Sequence, residues 1–239
     1  RLRNQHHIGI IGLDSISLCL MCNTTLTMLD LSECRIGDMG LTVLGGALAN
    51  NNTLRFLDLG WNGATTANGW REFSLCLHHT ASALEKLSLF CCNINGEGGT
   101  VLGNALVDNR SLRVLNMSGN NITDEAVIAL VDALSLNTRI SEMKIGGNDS
   151  LTMRSWTALS NLLCNASSIE SMIMSNHTLH TIYDAEDAEV PVIEVLDGSP
   201  DLENVLFMNE DGNKVDVVRQ KIIEYYFMDD DDIIINIKE

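Results

Sequence analysis

The chain has 239 residues, 45% of them hydrophobic and only two of them proline, which excludes a disordered composition and allows either one sizeable core or an array of small units. A formal charge of −17 argues against nucleic acid or an anionic membrane as partner, since both need a basic surface. No apolar run approaches the ~20 residues of a membrane-spanning helix, and seven cysteines without framework spacing point to reduced thiols in a reducing, cytoplasmic compartment.

In chain order, residues 8–25 align with residues 36–53. Ile8, Gly9, Gly12, Leu13 and Leu20 match Ile36, Gly37, Gly40, Leu41 and Leu48. The apolar run Ile8–Cys22 is therefore a repeat's helical half and not a signal peptide, and Asp14 interrupts it. The strand half of this first unit is expected to be missing or degraded. Two readings follow: the chain is a fragment of a longer protein, or a short N-terminal arm caps the array itself.

From Leu26 onward one pattern recurs. It reads Leu26, Leu29, Leu31, Cys34; then Leu54, Leu57, Leu59, Asn62; then Leu84, Leu87, Leu89, Cys92; then Leu112, Leu115, Met117, Asn120; then Ile140, Met143, Ile145, Asn148. A weaker sixth copy is expected at Ile169, Met172 and Met174, with His177 in the ninth place. Each copy alternates like a short strand and is followed by an apolar pattern of helical period. In the fourth, Thr123 is an expected N-cap, with Asp124 and Glu125 in the first turn and Val127, Leu130, Val131 and Leu134 forming one stripe. One unit cannot bury its apolar face alone, whereas stacked units can.

Beyond residue 182 the repeat decays. Residues 183–239 hold 17 acidic and 4 basic side chains. Leu202, Val205 and Phe207 keep the repeat spacing and read as a last strand. Val215, Val218 and Ile222 read as one face of a closing helix. The division expected is a repeat array over residues 1–182 and an acidic, degenerate C-terminal part over 183–239, acting as a polar cap or as a dock for a basic partner.

The pattern resembles leucine-rich repeats of the ribonuclease-inhibitor type, as in the repeat domains of NOD-like receptors. The resemblance covers roughly residues 8–180. It implies an α/β solenoid, a horseshoe with an inner parallel β-sheet and outer helices. It also implies a structural ladder at the ninth place, where Cys34, Asn62, Cys92, Asn120 and Asn148 fall.

No residue pattern carries catalysis. Cys19 and Cys22 form a lone C-x-x-C that the alignment places on a helix, where small-residue packing is the expected role. His177 and His180, with Asp184 near, are expected to be a surface pair and not a metal site. Gly96–Gly99 is a Gly-rich helix start without the Lys-Ser/Thr of a phosphate loop. Eight Asn-x-Ser/Thr sequons (Asn23, Asn51, Asn109, Asn116, Asn121, Asn148, Asn165, Asn176) follow from Asn-rich turns, with Asn23, Asn51, Asn109 and Asn165 at one helix-to-strand return.

The strand residues between the leucines are expected on the concave face. They include Met28, Asp30, Ser32, Phe56, Asp58, Lys86, Phe90, Asn116, Glu142, Lys144 and, from the sixth copy, Ser171, Ile173 and Ser175, with Glu33, Trp61 and Cys91 at the rim. Phe56, Trp61 and Phe90 are expected side by side as a binding centre, bordered by Asp58 and Lys86. The leading expectation is a monomeric, non-catalytic scaffold that binds a protein and holds no cofactor or metal. The family resemblance supplies a second class, GTPase-activating regulators, for which Arg35 and Asn95 are the loop candidates. A third reading is a secreted, glycosylated recognition domain.

Overall fold

The computed structural model describes residues 2, 5, 8–78, 83–165, 167, 169–179 and 181–183. Helices and three-residue strands alternate along it: α1 (Gly9–Cys22), β1 (Met28–Asp30), α2 (Asp38–Leu48), β2 (Phe56–Asp58), α3 (Ala67–His78), β3 (Lys86–Ser88), α4 (Gly96–Ala105), β4 (Val114–Asn116), α5 (Asp124–Leu136), β5 (Glu142–Lys144), α6 (Met153–Leu163), α7 (Ile169–Ile173) and β6 (Thr181–Tyr183). The strands form one parallel sheet in chain order. Each of α2 to α6 packs on the helix before it. This is the curved stack that unsatisfied single units require.

The core is a run of leucine layers. Leu29, Leu57, Leu87 and Leu115 point inward from the middle of β1 to β4, and Leu41, Leu44, Phe73, Leu102 and Leu130 meet them from the helices. Where helices approach closely, small residues sit between them. A Cβ on Gly103 of α4 would lie 3.0 Å from the backbone nitrogen of Leu130 in α5.

Two asparagine ladders hold the turns. At the ninth place, Asn120 donates to the carbonyls of Leu89, Met117 and Ser118 at 2.9, 2.8 and 3.1 Å and accepts from the amides of Cys92 and Ile94 at 2.9 and 3.0 Å. Asn62 makes the same set toward Leu31, Leu59, Gly60, Cys34 and Ile36. Asn148 repeats it toward Met117, Ile145, Gly146 and Ile122. Cys34 and Cys92 fill the place with buried thiols, Cys92 donating to the Leu59 carbonyl at 3.0 Å. The second ladder stands at the helix-to-strand return. Asn137 donates to the carbonyls of Leu106 and Asn109 and accepts from the amides of Arg139 and Ile140. Asn109 and Asn51 do the equivalent one and three units earlier.

This second ladder corrects the sixth copy. Asn176 donates to the carbonyls of Leu134 and Asn137, so it takes the return position at an interval of 39 residues where Asn137 follows Asn109 at 28. The extra length contains α7, so Ile169–Ile173 is helical and the sixth strand is Thr181–Tyr183, paired with β5. Ser171, Ile173 and Ser175 are therefore not on the concave face. Asn165, which the 28-residue spacing put at the return, is displaced from it by the same insertion.

The first unit keeps a remnant of its strand. The Leu2 amide donates to the Asp30 carbonyl at 2.9 Å, as the Leu31 amide donates to that of Asp58 at 2.8 Å. Cys34 donates to the Leu2 carbonyl as Cys92 does to that of Leu59. Leu2 thus stands on the free edge of β1 at the position of Leu31 one unit later. The last strand and closing helix expected within 183–239 lie outside the described residues, except for Tyr183 at the end of β6.

Candidate functional site

The concave face is built by register. In the outward row that begins each strand, Met28, Phe56, Lys86, Val114 and Glu142 are successive partners. Two residues on, Asp30, Asp58, Ser88, Asn116 and Lys144 form the next row. Parallel pairing without a shift fixes both rows, because the side-chain period of a strand is two. Phe56, Asp58, Lys86, Asn116, Glu142 and Lys144 therefore share one sheet face.

Beyond the strands comes a turn in which the eighth place is left-handed in all five units. Glu33, Trp61, Cys91, Gly119 and Gly147 have φ of 58°, 60°, 52°, 67° and 67°. Glycine adopts this at no steric cost, whereas a tryptophan there is strained. A side chain on Gly119 would strike the Cys91 sulfur and the Phe90 ring, so the bare turn leaves that ring its place. Trp61 meets Phe90 edge-on, with centroids 5.4 Å apart and planes at 83°, and remains 54% exposed. Trp61 therefore packs on a ring of the next unit. Phe56 is not beside this pair. It stands at the other end of β2, in register with Lys86, so the expected trio is an aromatic pair plus a separate half-buried ring.

Hydrogen bonds end the strands. The carboxylates of Asp30 and Asp58 accept from the amides of Ser32 and Gly60 at 3.1 and 2.9 Å, and Asn116 accepts from that of Ser118 at 3.0 Å. On the helix side a second brace links neighbouring units. Asp38 accepts from the Thr66 amide and hydroxyl, and Asp124 from those of Thr152. Burial pushes the Asp124 carboxyl up, but the Ser155 and Thr152 donors outweigh it and hold the group below the ordinary carboxylate range. Thr123 is the N-cap residue of α5, in extended backbone, although its side chain makes no cap bond. The signal for the Asp-Thr brace was present as an acid at a helix start with Thr 28 residues on.

The other candidate chemistries find other uses. Asn95 caps α4, its side chain accepting from the Gly98 amide at 2.8 Å, while Arg35 is exposed. The His177 ring lies 3.4 Å from the Ile173 carbonyl; His180 and Asp184 are outside the described residues. Among the described residues no group of His, Cys, Asp or Glu could hold a metal ion, and no helix is long and apolar enough to cross a membrane. Of the sequon asparagines, Asn51, Asn109, Asn148 and Asn176 are buried, with carboxamides committed to backbone, which closes them to a glycan.

All seven cysteines are free thiols. Cys19 and Cys22 are exposed, which corrects the packing role expected for them: α1 is the first helix of the described stack and no helix covers its far side. Burial pushes the Cys76 and Cys92 thiols up to about 12 and raises that of Cys34. A thiol reagent at neutral pH is thus expected to label Cys19 and Cys22 quickly in the folded chain and to spare Cys34, Cys76 and Cys92 until it unfolds, as peptide mapping after timed alkylation would show. Rapid loss of the Cys92 thiol from folded protein would contradict the ladder geometry.

Comparison with known proteins agrees with this architecture. A family profile described as Leucine Rich repeat matches residues 22–45, 50–63, 82–103 and 108–131. Those residues are leucine-rich repeats. The chain's repeats are 30% identical over 128 residues to NACHT, LRR and PYD domains-containing protein 14 of Mus musculus, covering 53% of this chain and 13% of that protein. They are 34% identical over 109 residues to the ribonuclease inhibitor of Sus scrofa, covering 46% and 24%, and 28% identical over 204 residues to that of Mus musculus, covering 72% and 44%. The chain therefore spans less than half the length of each of these relatives. Leucine-rich repeats of this kind are protein-interaction scaffolds.

Proposed function

We propose that the chain is a non-catalytic scaffold that binds a protein partner across its concave face, as a monomer inside the cell. The observation that carries this is the Trp61–Phe90 pair. A tryptophan held in left-handed backbone, half exposed, and braced on the next unit's ring forms a large rigid contact surface. The similarity to ribonuclease inhibitors, whose name states that they restrain an enzyme, supports a protein ligand. Seven free thiols support a reducing compartment. The acidic surface disfavours nucleic acid and anionic membranes. Residues 1–182 are then the binding array and residues 183–239 its acidic end.

The test uses the full chain as bait and a partner so recovered as ligand. Phe90→Ala and Trp61→Ala are each expected to weaken binding by about 2 kcal/mol, roughly thirtyfold. Leu75→Arg, on the outer helix face where Leu75 is exposed, should bind as the parent does. Normal binding by both ring variants together with loss in Leu75→Arg would move the working surface to the helices.

A further inference from the structure

The first unit presents an end face that no later described unit shows. Leu26 opens its strand pattern and is 38% exposed, whereas Leu54, Leu84, Leu112 and Ile140 in the same place are at most 2% exposed. Cys19 is exposed, whereas its counterparts Ala47, Ala105 and Ala133 on α2, α4 and α5 are sealed. Cys19 and Leu26 meet in an apolar groove of about 280 Å³ with Leu2, Ile16 and Leu29, and Asn23 lines it too. The Asn23 oxygen accepts from the amides of Thr25 and Leu26 at 3.0 and 2.6 Å, as the later return asparagines accept from their own turns. Asn51, Asn109, Asn137 and Asn176 also donate their NH2 to a carbonyl near the end of an earlier helix. Among the described residues nothing accepts from the NH2 of Asn23. The strand edge repeats this. The amides of Arg55 and Phe56 both donate to the Thr27 carbonyl, and the same pairing recurs at Glu85 and Lys86, at Arg113 and Val114, and at Ser141 and Glu142. Thr27 and Met28 are the corresponding pair on β1, and their amides have no acceptor among the described residues.

We propose that this end is a docking surface for a further helix–return–strand segment of the same polypeptide, lying upstream of Arg1 and running into Leu2. Leu2 already fills the sixth place of such a strand, its amide bonded to the Asp30 carbonyl, so the earlier places continue it along the β1 edge. What the face lacks specifies what covers it. Leu26 needs an apolar layer, Cys19 a packed helix, Asn23 a helix-end carbonyl, and Thr27 and Met28 a strand carbonyl. A leucine-rich unit supplies all four, and each is a contact already made where α2 stacks on α1 and β2 on β1. An open apolar layer beside unpaired edge amides is otherwise a liability that the terminal units of solenoids cover. The inference goes beyond the concave-face reading and does not depend on it.

Two neighbouring thiols make the test internal. Cys22 matches Asn50, Asp108 and Leu136, which stay exposed within the stack, so a docked segment covers Cys19 and leaves Cys22 open. The polypeptide is isolated from the cells that make it, and its intact mass is compared with the 26.2 kDa of this chain. Both proteins are then alkylated over time with N-ethylmaleimide, and fragmentation of the peptide that carries both thiols gives each rate. The expected result is a heavier polypeptide with repeat sequence ahead of Arg1, its Cys19 slowed about tenfold or more and its Cys22 within about twofold of the 239-residue chain. Asn23→Asp supplies a second readout. It keeps the oxygen that accepts from Thr25 and Leu26 and removes only the NH2. It should leave the melting temperature of the 239-residue chain nearly unchanged and lower that of the longer protein by about 4 °C. A polypeptide without repeat sequence ahead of Arg1, or a longer one whose Cys19 reacts as fast as in this chain, overturns the proposal. So does a Cys19 already slow in this chain, which would show that its own first residues cover the face. Slowing of both thiols together also overturns it, since that reports a partner lying across the helix side. None of these results moves the predictions for the concave face, so the two readings fail separately.

Discussion

Asn120→Ala is expected to lower the unfolding free energy by about 3 kcal/mol. The carboxamide donates to three carbonyls and accepts from two amides, all in turns that no water reaches, and Asn120 is 4% exposed. Alanine leaves those backbone groups without partners, and one buried unpaired group costs about 1–3 kcal/mol. The loss is not the sum over five bonds, because the turn can relax and some groups can share neighbours. The adjacent Asn121 is the control. It is exposed and makes one bond to the Asn93 side chain, so Asn121→Ala should fall within about 0.5 kcal/mol of the parent. Urea denaturation of the three proteins decides the matter. Equal midpoints for Asn120→Ala and the parent would refute the structural role.

Gly103→Leu should be as damaging, by the opposite mechanism. Its Cβ alone would meet the Leu130 nitrogen at 3.0 Å and the Ala129 carbonyl carbon at 3.2 Å, and both are backbone of α5. Backbone cannot rotate aside as a side chain can, so a leucine there must force α4 from α5. Overpacking of this kind costs about 3 kcal/mol, against a helix-propensity gain of roughly 1 kcal/mol. Gly46 of α2 shows the other case. Nothing lies within 4 Å of its Cβ position, so Gly46→Ala should stabilise by roughly 0.5–1 kcal/mol. A destabilised Gly46→Ala, or a Gly103→Leu that melts with the parent, would show that the helix spacing is wrong.

The repeat was legible because its core places carry the same few apolar residues at a fixed interval, and the interval sets the register directly. Met28, Phe56, Lys86, Val114 and Glu142 could be placed on one face from spacing alone. The sixth unit was not legible in that way. Constant spacing selects Ile169, whereas the deciding feature is Asn176, whose carboxamide bonds to Leu134 and Asn137 only when α7 is accommodated. The spacing does separate Phe56, in the third place, from Phe90, in the seventh; the two rings were grouped only because both count as outward places. The left-handed eighth place escaped for a physical reason too. Only Gly119 and Gly147 advertise it in sequence, while Glu33, Trp61 and Cys91 adopt it against their own preference.

The central claim is that the concave face is the binding surface, and oxidative footprinting of the full chain with and without its protein partner tests it most directly. Exposed methionine and tryptophan report on both sides of the solenoid at once. Met28 on the sheet face and Trp61 on the adjoining rim are 49% and 54% exposed. Met39 on α2 and Met174 just past α7 mark the helix side, at 68% and 76%. The account predicts that partner binding protects Met28 and Trp61 and leaves Met39 and Met174 oxidised at their free rates. Protection of Met39 or Met174, with Met28 and Trp61 unchanged, would contradict it.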